Sequence, residues 1–180
     1  MRLQIARSER EGGLMGTNYL VGLVSEWYEY QGFLVHRNVS VKNAAGNGSM
    51  DLDVIAMHPA QNQFVHVEAS MDSDSWQKRE QRFRRKFRAG GMYIDGLASG
   101  MKKKPEVRQI ALLVYARKAR RKTLGGGELI LMPQFLYEII EVLAHRRVEK
   151  QIVPEHLPLL RTLQFVTEYR EDLFLRDSLF

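Results

Sequence analysis

A chain of 180 residues, 44% apolar and with no cysteine, is sized for one domain with a substantial core, and it excludes disulfides, thiolate nucleophiles and Cys-based zinc sites together. No stretch approaches the roughly 18 apolar residues of a membrane helix, and residues 1–16 mix Arg2, Arg7 and Arg10 with Glu9 and Glu11 around no apolar run, so neither a secretory signal nor a transit peptide is expected. The net charge of +6 is uneven, because residues 78–122 hold 16 Lys or Arg against 3 acids while the remainder holds 11 against 18.

Residues 18–31 place Tyr19, Leu20, Leu23, Val24, Trp27 and Tyr28 at helical spacing, with Thr17 or Asn18 as caps and Gly32 as the stop. Residues 33–41, 50–57 and 63–69 read as three strands, separated by a Gly/Asn loop at 43–49 and a turn at 59–62, and form an antiparallel meander. A helix follows over 76–88, with Trp76, Phe83 and Phe87 inward, the arginines outward and Gly90-Gly91 as its end. The segment 107–115, apolar without interruption from Ile110 onward, has the length of a central strand covered on both faces. A basic, glycine-ended loop at 117–127, a strand at 128–132 and a helix at 134–145 complete the order α-β-β-β-α-β-β-α. Residues 157–168 form a further helix, within a C-terminal extension (146–180) packed on a core of about 17–145 in a single domain. Gly125 to Gly127 lack the following Lys and Ser/Thr of a phosphate loop and read as a connector.

Acids inside strands that otherwise want burial carry the chemical signal. Alternation puts Asp51 and Asp53 on one strand face, and His66, Glu68 and Ser70 on one face of the next. A hairpin closing at 59–62 pairs Met57 with Phe64, Asp53 with Glu68 and Asp51 with Ser70, which gathers three carboxylates. Clustered carboxylates repel unless a cation or hydrogen-bond donors compensate, and Mg²⁺, which takes a few carboxylate oxygens and keeps several waters, suits them. Acids on a solvated face, paired by nearby arginines, are the plain alternative. Glu26 lies along the apolar stripe of the first helix with Tyr19, Leu23 and Tyr30, so it needs a buried partner, either a metal site or an arginine.

An acid-bearing helix, a strand, then Gly48-Ser49-Met50-Asp51-Leu52-Asp53-Val54-Ile55-Ala56, a turn and Phe64-Val65-His66-Val67-Glu68-Ala69-Ser70 resemble the PD-(D/E)XK nuclease superfamily over roughly residues 17–145. The resemblance implies a restriction-endonuclease-like α/β fold, a mixed central sheet flanked by helices. It also implies a metal-dependent hydrolase of nucleic-acid phosphodiesters. Mg²⁺ or Mn²⁺ is then expected on Asp53 and Glu68, with Asp51 and the carbonyl of Ala69 as further ligands and Glu26 assisting. Ser70 stands where the family has a lysine that helps activate the attacking water, and serine brings no positive charge. Lys78 or Gln77 at the start of the second helix, Lys42 at the end of the first strand, or a second metal are the candidates to replace it. Otherwise the chain is an inactive nucleic-acid-binding module of the same fold.

Runs such as Arg84-Arg85-Lys86 and Lys102-Lys103-Lys104 repel themselves without a counter-charge, so a polyanion is the expected partner and a solvated face the alternative. Lys78, Arg79, Arg82, Arg85, Lys86, Lys118 and Arg121 are the expected contacts to nucleic acid, DNA ahead of RNA. A cytoplasmic setting without a membrane partner is expected, and the oligomeric state stays open between monomer and homodimer. A third reading is a subunit whose basic face meets an acidic protein. His66 shares the strand face of Glu68, though a lone strand histidine is more often a packing residue. His36, His58, His145 and His156 lack patterned partners, and Trp76, Phe83 and Phe87 fit a core face better than a base-stacking platform.

Overall fold

The computed structural model describes residues 15–42, 48–116 and 121–174. In chain order the elements are α1 (Met15–Tyr30), β1 (Leu34–Lys42), β2 (Ser49–His58), β3 (Gln63–Ser70), α2 (Trp76–Leu97), β4 (Glu106–Leu113), β5 (Thr123–Leu124), β6 (Gly127–Leu131), α3 (Met132–Ala144), α4 (Pro158–Glu168) and α5 (Arg170–Phe174). They build an α/β fold around one mixed sheet of six strands in the order β1-β2-β3-β4-β6-β5. The first three strands form the expected antiparallel meander, with Met57 opposite Phe64 across the turn. The long crossover through α2 lets β4 run parallel to β3, and β6 is parallel to β4.

Two apolar layers hold the sheet between helices. On one face Val54, Ala56, Val65, Val67, Ile110 and Leu112 meet Leu20, Leu23, Val24 and Trp27 of α1, with Phe135 and Ile139 of α3 and Leu160 of α4 closing the layer. On the other face Phe83 and Phe87 of α2 pack with Ala111, Leu113 and Leu129, and Ala89 and Ile94 pack with Leu52, Ile55 and Phe64. Among the described residues no helix is long and apolar enough to cross a membrane.

Helix α2 does not end at Gly90-Gly91. It continues to Leu97 because Gly90 is a site of close approach: a Cβ there would lie 2.2 Å from the His66 ring. The roughly 1 kcal/mol that a helical glycine costs is offset by burial of Ile94 one turn on. The basic loop also contains structure that the sequence did not announce. Thr123–Leu124 pairs antiparallel with β6 through Gly125 and Gly126, at φ +63 and +95, the left-handed pair that a two-residue hairpin turn demands.

Strand alternation breaks at one place, and that place is Asp53. The β1–β2 ladder pairs Arg37 with Val54 and Val39 with Leu52, leaving Asn38 opposite Asp53, and Asn38 has a φ of 50. Asparagine tolerates this left-handed conformation better than most residues. Beyond the break the faces exchange: Val35, Val54 and Ala56 belong to the α1 layer, whereas Val39, Val41, Met50 and Leu52 belong to the α2 layer.

Candidate active site

Three side chains converge at the end of the β2–β3 pair. The ladder between these strands stops at Val54 opposite Val67. Past that point the backbone groups turn to side chains: Ala69 N–H donates to Asp53 Oδ2 at 2.8 Å, and Asp53 N–H donates to Glu68 Oε1 at 3.3 Å. Asp53 and Glu68 thus face each other as the expected register requires. The cation between them is Lys86 of α2, whose Nζ donates to Asp53 Oδ1 at 2.9 Å and also to Glu68 Oε2. Behind Glu68, His66 Nε2 lies 2.7 Å from Oε1.

The electrostatics are those of two buried acids sharing one base. Burial, then the neighbouring Glu68 charge, push the Asp53 carboxyl up to about 6, with Lys86 only partly opposing them. Glu68 moves the other way: burial would raise it, but the hydrogen bond from His66 and the Lys86 charge outweigh burial and hold it below the usual range. Lys86 is itself raised, because the two carboxylates outweigh its desolvation. Its side chain keeps 22% of its surface exposed against 1% for Glu68, so the trio opens to solvent on the lysine side.

The other expected site residues lie elsewhere. Asp51 is exposed and pairs across the ladder with Ser40, because the break at Asp53 reverses alternation and turns it away from the α2 layer. Glu26 belongs to α1, on the opposite face of the sheet from Glu68 and His66. Its Oε2 accepts from Leu160 N–H at 2.9 Å, so the N-terminal turn of α4 supplies its buried partner. Ala69 takes part through its N–H. Lys78 lies eight residues before Lys86, about 12 Å along the helix axis, and its ammonium has no partner among the described residues. Lys42 sits four residues beyond Asn38 on β1, about 13 Å from the level of Asp53. Neither it nor Gln77, at the exposed start of α2, takes the place that Lys86 fills.

Ser70 does follow Glu68 on the α2 face, but it belongs to a second, outer cluster. Its Oγ donates to Asp72 Oδ2 and accepts from Arg82 Nη2 at 3.2 Å. Arg82 also bridges Asp72 and, at 2.9 Å, Asp74 Oδ2. Arg79, expected on the surface, is buried: its Nε is 2.9 Å from Asp72 Oδ1, and Nη2 reaches the carbonyls of Asp72 and Tyr115. It ties the start of α2 to the ends of β3 and β4, which accounts for it without a ligand. Arg85 is exposed and unpaired among the described residues. The Arg121 guanidinium stacks on Trp76, 5.5 Å from the ring centre. Lys118 lies outside the described residues.

Lys86, expected among the phosphate contacts, is the helix residue that also reaches both acids, a contact the sequence did not announce. Its orientation left a signal: it stands three positions after Phe83 and four before Gly90, and so shares the sheet-facing side of α2 with both. Among the described residues no three His, Asp or Glu side chains form a metal-holding group. No protein-family model and no curated protein sequence matches the chain.

Proposed function

We propose that the chain is a metal-dependent phosphodiesterase of the PD-(D/E)XK type acting on nucleic acid, DNA in preference to RNA, in which Lys86 of α2 supplies the charge that Ser70 lacks. The observation that carries this reading is the Lys86 ammonium between the carboxylates of Asp53 and Glu68, at the end of two adjacent central strands. The order of elements, an acid-bearing helix, a three-strand meander and a crossover helix into parallel strands, supports the restriction-endonuclease-like assignment.

The donor set suits Mg²⁺ or Mn²⁺. It offers two carboxylates from adjacent strands, hard oxygens without sulfur, and Mg²⁺ commonly takes one or two carboxylates and completes its shell with water. The carbonyl of Ala69 leaves its extended strand on the same side as the N–H that reaches Asp53, which adds a third oxygen. When bound, the ion would acidify a water and offset charge on the phosphate. Within the protein, Asp53 and Glu68 would hold the ion, and Lys86 would offer its ammonium to the charge that develops on the phosphoryl oxygens. Lys78 and Arg85, without partners of their own among the described residues, precede Lys86 on the same helix to bind flanking phosphates.

The rival is a nucleic-acid-binding module without catalysis. It is favoured by the ion pairs themselves, since Lys86 already gives each of the two acids a cationic partner. Incubation of single-stranded DNA, duplex DNA and RNA with wild type, Asp53→Ala and Lys86→Met separates the two. Mg²⁺- or Mn²⁺-dependent cleavage is expected from the wild type alone. Lack of cleavage by wild type with Mn²⁺ demonstrably bound gives the molecule to the binding module.

A further inference from the structure

We propose that His66 is the positioning residue of the acid pair: an imidazole wedged between β3 and α2 whose Nε2–H fixes the Glu68 carboxylate in the orientation the site uses. The site's purpose rests on the phosphodiesterase reading, but the arrangement itself is carried by the packing.

His66 has no exposed surface, and its Nε2 lies 2.7 Å from Glu68 Oε1. A carboxylate only accepts hydrogen bonds, so Nε2 carries the proton in this contact. The other ring nitrogen, Nδ1, is buried without any hydrogen-bond partner. A proton there would be a buried donor with nothing to accept it, so the surroundings select the tautomer protonated on Nε2. The ring is held by shape. Phe87 meets it edge-on at 5.2 Å between centroids and 87° between planes, and the missing side chain of Gly90 makes the hollow it fills. Gln109, opposite His66 in the parallel ladder, donates to the Phe87 carbonyl at 2.8 Å and fixes how near α2 can come.

The consequence lies in the division of Glu68's oxygens. Oε1 is taken by His66 and by the Asp53 N–H at 3.3 Å, which leaves Oε2 turned toward Lys86 and the open side. Without the imidazole, rotation of the carboxyl group about its last bond, a broad torsion, would be opposed only by the longer contact from Asp53 N–H and by the partly exposed Lys86. His66 itself is fully buried behind Glu68, so it acts through that residue.

The test uses the full-length protein. Imidazole ¹⁵N shifts of the metal-free wild type should show His66 protonated on Nε2 with Nδ1 unprotonated; a proton on Nδ1 overturns the proposal. Mn²⁺ titration by calorimetry, with thermal unfolding as the check on folding, then compares His66→Gln, His66→Phe and Gly90→Ala. Phenylalanine removes the donor and should weaken Mn²⁺ binding about 10- to 100-fold, the usual effect of losing a residue that orients a ligand. Glutamine keeps an N–H donor and should recover most of that affinity. Gly90→Ala leaves every site residue in place but puts a methyl into the ring's position, and should weaken binding in the same direction. Equal Mn²⁺ affinity in folded His66→Phe and wild type overturns the proposal. Should that variant fail to fold, Gly90→Ala with unchanged affinity does so instead. If the wild type binds no Mn²⁺, the metal reading falls, and the nitrogen shifts of wild type against Gly90→Ala decide the positioning role on their own.

Discussion

Lys86 and Ser70 lie on the same side of the sheet with different partners: serine anchors the Arg82–Asp72 cluster, while the helix lysine reaches the acids. Replacing Lys86 with Met should therefore separate two effects that a residue merely binding phosphate would not. Mn²⁺ affinity should rise, because the ion no longer competes with an internal cation, while cleavage should fall roughly 10²-fold or more, the scale of a lost transition-state contact. Restoring a lysine at the strand position on that background, in Ser70→Lys with Lys86→Met, should recover part of the rate, since residue 70 projects from the same face as Glu68. No recovery, with the double variant folded, would place the decisive charge elsewhere. The acid pair also predicts a pH signature in metal-free protein. Asp53 ionises near 3.8 when unfolded and near 6 when folded, mainly because of burial and then the Glu68 charge, so the folded state holds the extra proton between those values. Stability contributed by that group is complete at the acid end and is lost as pH rises through the window. Asp53→Asn has no such ionisation, so urea unfolding in the presence of EDTA should show wild type losing ground to the variant from about pH 4 to pH 6. Parallel curves would mean that Asp53 is not desolvated as its packing implies.

At the scale of elements, the joint between α1 and α4 shows how a correct inference can reach the wrong partner. Glu26 does lie on a buried helix face, and a buried carboxylate does need company. The company is the Leu160 N–H in the first turn of α4, where Pro158 opens the helix and Leu157 offers no side-chain cap. Glu26→Ala should cost about 1–3 kcal/mol by leaving that N–H unsatisfied and should leave Mn²⁺ affinity unchanged; a fall in affinity in folded variant protein would return Glu26 to the metal site. The meander, its turn and the pairing of Asp53 with Glu68 were legible because period-two patterning and turn residues are local signals. What escaped were effects of contact between elements. Gly90 looks like a helix stop until the His66 ring is seen lying against it. Thr123–Leu124 is too short to read as a strand without β6 beside it. Alternation placed Asp51 with Asp53, and only the reversal opposite Asn38 parts them. Arg79 and Lys86 sit among other basic residues; their spacing from Phe83 sets them on its side of α2, but nothing in the run names Asp72, Asp53 and Glu68 as the acids that draw them inward.

Over the whole molecule, the excess positive charge of residues 78–122 divides by what each side chain already touches. Arg79 and Arg82 are paired with Asp72 and Asp74, Arg84 with Glu80, and Arg108 with Glu128. Lys78, Arg85 and Arg88 have no such partner among the described residues. Lys78 and Arg85 stand two turns apart on α2, with Arg82 between them on the row that leads to Lys86, so a phosphate chain laid along this row would end at the acid pair. The Lys102-Lys103-Lys104 run lies elsewhere: Asn62 binds the carbonyls of Lys103 and Lys104, which puts the run at the start of β3, about 20 Å of strand from Glu68. The two patches can therefore be told apart by salt. Lys78→Ala with Arg85→Ala removes two unpaired cations and should reduce the slope of log affinity against log salt by about 1.8 for a short DNA duplex, at roughly 0.9 per phosphate contact. Removing Arg79 should leave the slope alone while destabilising the fold by about 3 kcal/mol, as expected when one member of a buried ion pair is lost. Changing the three lysines at 102–104 to alanine should leave the slope near its wild-type value on a duplex too short to span both patches. If instead the slope drops with the 102–104 variant and holds with the α2 variant, nucleic acid is gripped at the far end of the sheet, and the carboxylates of Asp53 and Glu68 lie outside the bound strand.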